Sequence, residues 1–144
     1  MTAEFGADYL VLLRAIQDRL IPRDGVMPSG GEGEAPTIVV ERSATSGADR
    51  LALVEVLEAV AAAATVPFAQ LQDGARDALL RDVERRHSAA FTALVRQTYL
   101  AYYTQASVQA AIGSGPPQPA GFALEAFDSS LLDRVRRTAK PWRE

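Results

Sequence analysis

One histidine, His87, is the only imidazole in this sequence, and it stands in the run Glu84-Arg85-Arg86-His87-Ser88. A histidine acting as a general base needs a carboxylate to orient it and a pocket for its substrate. Glu84, three residues back, could supply the first. The competing reading is a histidine between two helices, where the C-terminal end of the first favours positive charge. Cysteine is absent. That removes disulfide frameworks, thiolate-held zinc, iron–sulfur clusters, covalent haem attachment and thiol catalysis. The carboxylates do not converge on a metal. There is no Glu-x-x-His pair of the di-iron type, Asp82 and Glu84 point about 200° apart on a helix, and Glu55 and Glu58 read as a solvated face. The glycines of Gly30-Gly31-Glu32-Gly33-Glu34 lack the flanking strand and helix of a phosphate loop, and the run is acidic. No Gly-x-Ser-x-Gly elbow occurs. The residue types predict a chain that by itself binds no flavin, haem or metal.

The aromatic residues carry more information. Tyr99, Tyr102 and Tyr103 lie within five residues, so they cannot all face one core, and at least one must point outward. An exposed tyrosine next to the proline-rich run Gly113–Gly121 reads as an interface anchor. The alternative is a wide core stripe with its hydroxyls at the rim. Trp142 follows Pro141 in a basic tail with Arg134, Arg136, Arg137, Lys140 and Arg143. It either folds back on its own helices or docks on a partner.

Periodicity places these residues on helices. Leu10, Leu13, Ile16 and Leu20 predict a first helix over about residues 5–21, stopped by Pro22. Breakers fill 22–36, a long loop. Thr37-Ile38-Val39-Val40 fits a short strand, but a lone strand has no partner, so extended coil or a helical turn competes with it. Ser46 and Asp49 form a capping pattern ahead of a stripe of Leu51, Val54, Leu57, Val60 and Ala61. A third helix opens at Gln72 or Asp73 and buries Ala75, Leu79, Leu80 and Val83. Its charged face, Asp77, Arg81, Asp82 and Arg86 included, reads as solvated. Ser88 is placed as the cap of the longest helix, about 88–104, with Phe91, Leu94, Val95, Thr98, Tyr99 and Tyr102 along its stripe. A short helix at Ser107–Ile112 ends on Gly113 as a left-handed stop. A last one, capped by Asp128 or Ser129, carries Leu131, Leu132 and Val135. The expected fold is all-α, with about five helices in a single domain over residues 1–144.

Composition agrees with that scale. The 144 residues are 48% hydrophobic and 23% charged, enough apolar material for one packed core. A net charge of -3 makes the chain a poor partner for nucleic acid or anionic membrane. The longest small-apolar run, Ala59–Ala64, is too short to span a bilayer. No basic segment precedes an apolar stretch at the N-terminus. The expected location is cytoplasmic, or periplasmic if a signal is removed or is supplied by a partner.

The order of motifs resembles a known family. Ala15-Ile16-Gln17-Asp18-Arg19-Leu20-Ile21-Pro22-Arg23-Asp24 with Met27-Pro28 opens the pattern. Phe91-Thr92-Ala93-Leu94-Val95, Thr98-Tyr99-Leu100-Ala101-Tyr102-Tyr103-Thr104 and Val108-Gln109-Ala110-Ala111-Ile112-Gly113 continue it. Pro117-Gln118-Pro119-Ala120-Gly121, then Leu131-Leu132-Asp133-Arg134-Val135-Arg136 and Trp142-Arg143, close it. Together they are similar to the gluconate 2-dehydrogenase subunit 3 family, the small subunit of membrane-associated sugar dehydrogenases. The resemblance implies a non-catalytic helical subunit with no cofactor of its own. Its implied partner is a large FAD-dependent subunit of the glucose-methanol-choline (GMC) oxidoreductase type, which it supports in folding, stability or maturation. The residues expected at that contact are Tyr99, Tyr102, Tyr103, Gln118, Pro119, Gly121 and Trp142. The alternative is a stand-alone helical small-ligand binder or adaptor.

Overall fold

The computed structural model describes residues 6–113 and 130–137. Among them every regular element is a helix, with no strand, as the periodicity predicts. The first helix, α1, spans Ala7–Leu20, and Ile21 caps it one residue before Pro22. Leu13 and Ile16 are fully buried, and so is Gln17, which sequence pattern alone assigns to a polar face. Gln17 Nε2 donates to Thr98 Oγ1 at 3.2 Å, so the glutamine enters the core with a partner waiting there.

The second helix, α2, spans Ala35–Ala44, so of the readings open at Thr37–Val40 the helical one holds, and neither strand nor extended coil does. Pro36 sits in its first turn, where a missing amide proton costs nothing. Ala35, Val39 and Ser43 are buried at a spacing of four, which is helical. β-branched residues cost a helix only a few tenths of a kcal/mol each, and burial of Val39 outweighs that.

Helix α3, Gly47–Ala63, starts as expected: Ser46 Oγ accepts the Asp49 amide at 3.3 Å. Its buried stripe is Leu53, Val56, Leu57 and Val60, whereas Leu51 is 72% exposed. The helix is apolar nearly all round, so its neighbours α2 and α5 select the face. After it, Phe68–Gln70 forms a single 3-10 turn with Phe68 buried. Helix α4, Asp73–Arg86, buries Leu80 and Val83, while Ala75 stays exposed.

His87, not Ser88, is the junction residue between α4 and α5, closing the first helix and opening the second. Helix α5, Ser88–Tyr103, buries Ala90, Phe91, Leu94, Gln97, Thr98, Ala101 and Tyr102 on one face. It pairs with α3 at the centre of the fold, with α2 and α4 alongside and α1 packed across α2, α3, α4 and the 3-10 turn. Helix α6, Ala106–Ala111, precedes Gly113, whose φ of 73° is the expected left-handed stop. Helix α7 is Ser130–Arg137.

Ion pairs stitch the helices together. Arg19 of α1 binds Asp77 of α4 through two nitrogens at 2.8 and 2.9 Å and reaches Asp73 at 3.0 Å. Asp77 is thus an interhelical partner and not part of a merely solvated face. Asp82 does pair along its own helix, with Arg85 and Arg86. Arg96 of α5 reaches Asp49 of α3 at 3.1 Å. No described helix is long and apolar enough to cross a membrane.

Candidate functional site

The three tyrosines of α5 divide as helical geometry requires. Tyr99 and Tyr103, four residues apart, share a face and are 43% and 48% exposed. Their rings stack with centroids 6.2 Å apart and planes 11° from parallel. Leu100, next to them in sequence, is also exposed. Tyr102 turns inward and is 1% exposed. Its ring meets Tyr103 edge-on at 5.2 Å, and its hydroxyl donates to the Pro28 carbonyl at 2.7 Å. Burial, then the neighbouring Tyr103 and Glu32, push the Tyr102 hydroxyl above its ordinary pKa, so it remains a donor. Tyr102 therefore lies as a support under the surface, whereas Tyr99 and Tyr103 reach it. Gln118, Pro119, Gly121 and Trp142 lie outside the described residues.

Pro28 belongs to the loop between α1 and α2, which is held from several sides. Asp18 accepts from Ser29 Oγ at 2.5 Å and from the Gly31 amide at 2.9 Å, and Arg14 donates to the Gly31 carbonyl at 3.0 Å. Glu32 accepts the Ser29 amide at 2.8 Å and pairs with Arg23 at 2.5 Å. The Arg23 hydrogen bond is the main cause that holds the Glu32 carboxyl below its usual range. Gln105 Oε1 accepts the Glu34 amide at 2.9 Å beside Gly33, whose φ is 69°. Sequence reasoning missed Arg14, Asp18 and Gln105 as members of this network. The available clue was the Gly30-Gly31 pair, which brings a backbone close to whatever lies beneath it. Those glycines lie against the Gln17 and Arg14 carbonyls and so serve packing, with no cradle for a phosphate.

The tethered loop and the helix that tethers it fall inside a stretch, residues 7–113, that matches the family described as gluconate 2-dehydrogenase subunit 3. The chain belongs to that family. No curated protein and no solved structure gave a match. By its name, the family supplies one subunit, subunit 3, of a multi-subunit gluconate 2-dehydrogenase complex.

The lone histidine lies elsewhere on this subunit 3 fold. His87 Nδ1 lies 2.8 Å from Glu55 Oε1 of α3, so the orienting carboxylate is Glu55 and not Glu84. The pair sits in an open groove beside Leu51, Val54, Glu58 and Arg86. Among the described residues, neither serine nor threonine lines that groove. What the contact does is pin the α4–α5 junction to the central helix. A second open groove of about 530 Å³ runs between Val11, Leu12, Ala61, Val66 and Phe68, with Asp8 and Thr65 as its polar lining. Among the described residues no three metal-ligating side chains come together.

Proposed function

We propose that this chain is a non-catalytic small subunit that docks on a large FAD-dependent oxidoreductase of the GMC type and supports its folding, stability or maturation. The large subunit would hold FAD and oxidise a sugar or alcohol. The observation that carries this reading is the stacked, half-exposed pair Tyr99–Tyr103 on the last turns of α5. Stacked rings lose little side-chain entropy on contact and present a large, rigid area, which is what interface anchors require. The buried Tyr102 fixes the same helical turn to the loop below, so the surface is pre-organised before a partner arrives. A stand-alone ligand binder would call for a closed pocket with converging polar groups. The grooves here are open.

The test is co-expression with the large subunit and a double variant, Tyr99→Ala with Tyr103→Ala. Both side chains are about half exposed, so helicity should be unchanged. Loss of two aromatic anchors should weaken the complex by about 2 kcal/mol or more, at least tenfold in Kd. An unchanged affinity would remove the tyrosine face from the contact. Failure of the wild-type chain to co-purify with any flavoprotein would sink the subunit reading.

A further inference from the structure

We infer that the loop between α1 and α2 is a second anchor for the large subunit, with Val26 entering an apolar socket edged by a lysine or arginine of that subunit. This rests on the subunit reading above. The loop is an excursion that returns to its start: the Gly30 amide donates to the Ile21 carbonyl at 2.8 Å, so residues 22–29 contribute nothing to bridging α1 and α2. Closed loops of this kind are compact and frequently functional.

The excursion is also rigid. At its tip, Asp24 and Met27 exchange both backbone hydrogen bonds, at 3.2 and 2.8 Å, around Gly25 with φ 55°. At its base, Asp18, Arg14 and the Tyr102 hydroxyl hold Ser29, Gly31 and Pro28. Yet among the described residues the tip leaves its valine in solvent. Val26 is 81% exposed, more than any other large apolar side chain among the described residues. Beside it, the exposed Asp24 carboxylate has no partner among the described residues, whereas Arg23 is already paired with Glu32. A rigid turn that holds an apolar side chain and an unpaired carboxylate out to solvent is complementary to a socket that is apolar inside and basic at its edge. Tyr102 supports both this loop and, through its ring edge, Tyr103. It is a positioning residue for the two contacts together.

The experiment measures Kd and off-rate between the full-length chain and the purified large subunit, with far-UV circular dichroism and Tm on each variant. Val26→Asp and Asp24→Arg should each weaken binding at least tenfold with helicity and Tm unchanged, and Val26→Leu should bind as the wild type does. Tyr102→Phe keeps the ring and removes only the hydroxyl. It should raise the off-rate severalfold and speed amide exchange at Met27. If the wild type binds and both charge variants bind equally well, the loop is not an anchor and the tyrosine-face reading stands alone. If Val26→Asp lowers helicity, the tip packs within the fold and the inference falls. If the wild type itself does not bind, the subunit reading fails and takes this inference with it.

Discussion

Gly30 and Gly31 leave no space for a side chain. A Cβ on Gly30 would collide with the Gln17 carbonyl oxygen, and one on Gly31 with the Arg14 carbonyl oxygen and the Asp18 carboxylate. The carbonyls belong to the backbone of α1 and cannot swing aside. Gly31→Ala should therefore destabilise the protein by about 1–3 kcal/mol, the range for overpacking. Gly74, in the first turn of α4, meets nothing within 4 Å. There an added methyl reduces the freedom of the unfolded chain without strain, and Gly74→Ala should stabilise by about 0.4–1 kcal/mol. Urea unfolding of the two variants reads the signs directly, and a Gly31→Ala variant as stable as the wild type would contradict the close seating of this loop on α1. Sequence reasoning found the glycines and their loop but not what they approach. The approach depends on Asp18 and Arg14 lying under the loop, and spacing along a chain does not show which helix face a returning loop will cross.

The helices form a set of pairs, and the clearest polar pairing is α1 with α4 through Arg19. The Asp77 carboxyl is held below its ordinary pKa chiefly by the Arg19 hydrogen bond, with desolvation opposing it and the Arg19 charge adding to it. A depressed carboxyl pKa gives stability that is present above the ordinary carboxylate value and is lost as pH falls through the folded-state value. Arg19→Gln should therefore be less stable than the wild type at neutral pH, with the gap closing as pH falls from about 5 to about 2. A gap that stayed constant across that range would assign the loss to packing of the arginine stem and not to its charge. At this scale most of the fold was legible. The Ser46 cap, the Gly113 stop, the α5 stripe and the break at Pro22 all follow from local chemistry. Two readings did not. Thr37-Ile38-Val39-Val40 favours a strand locally but has no strand to pair with, and α3 and α5 instead bury Val39 from a helix. In α3 the apolar residues encircle the axis, so the choice of Leu53 and Val56 over Leu51 and Val54 is made by tertiary neighbours. The site was legible only in outline. Three adjacent tyrosines must divide between core and surface, but which one turned inward depended on the Pro28 carbonyl that receives its hydroxyl.

At the scale of the whole molecule, the buried residues of the described core come before the proline-rich run in sequence. Among the described residues the cluster extends from Leu13 to Ala101 and Val108 is the last buried apolar side chain, and the family match ends at Gly113. A chain cut after Gly113 should therefore keep its helical signal, with a Tm within a few degrees of the full-length value, since about 1 kcal/mol moves a domain of this size by about 4 °C. What the cut removes is Gln118, Pro119, Gly121 and Trp142, together with Arg134, Arg136, Arg137, Lys140 and Arg143. If those residues meet the large subunit, the truncated chain should bind it more weakly than the full chain does. Arginine forks bonded to carboxylates at the exposed rim of an interface are screened by salt. The affinity gap should therefore narrow between about 50 mM and about 500 mM salt, while the part due to Trp142 and the prolines remains. Truncated and full-length chains that bind equally at low salt would confine the contact to the tyrosine face and the loop at Val26. A truncated chain that unfolds would instead make the C-terminal segment part of the domain's own core.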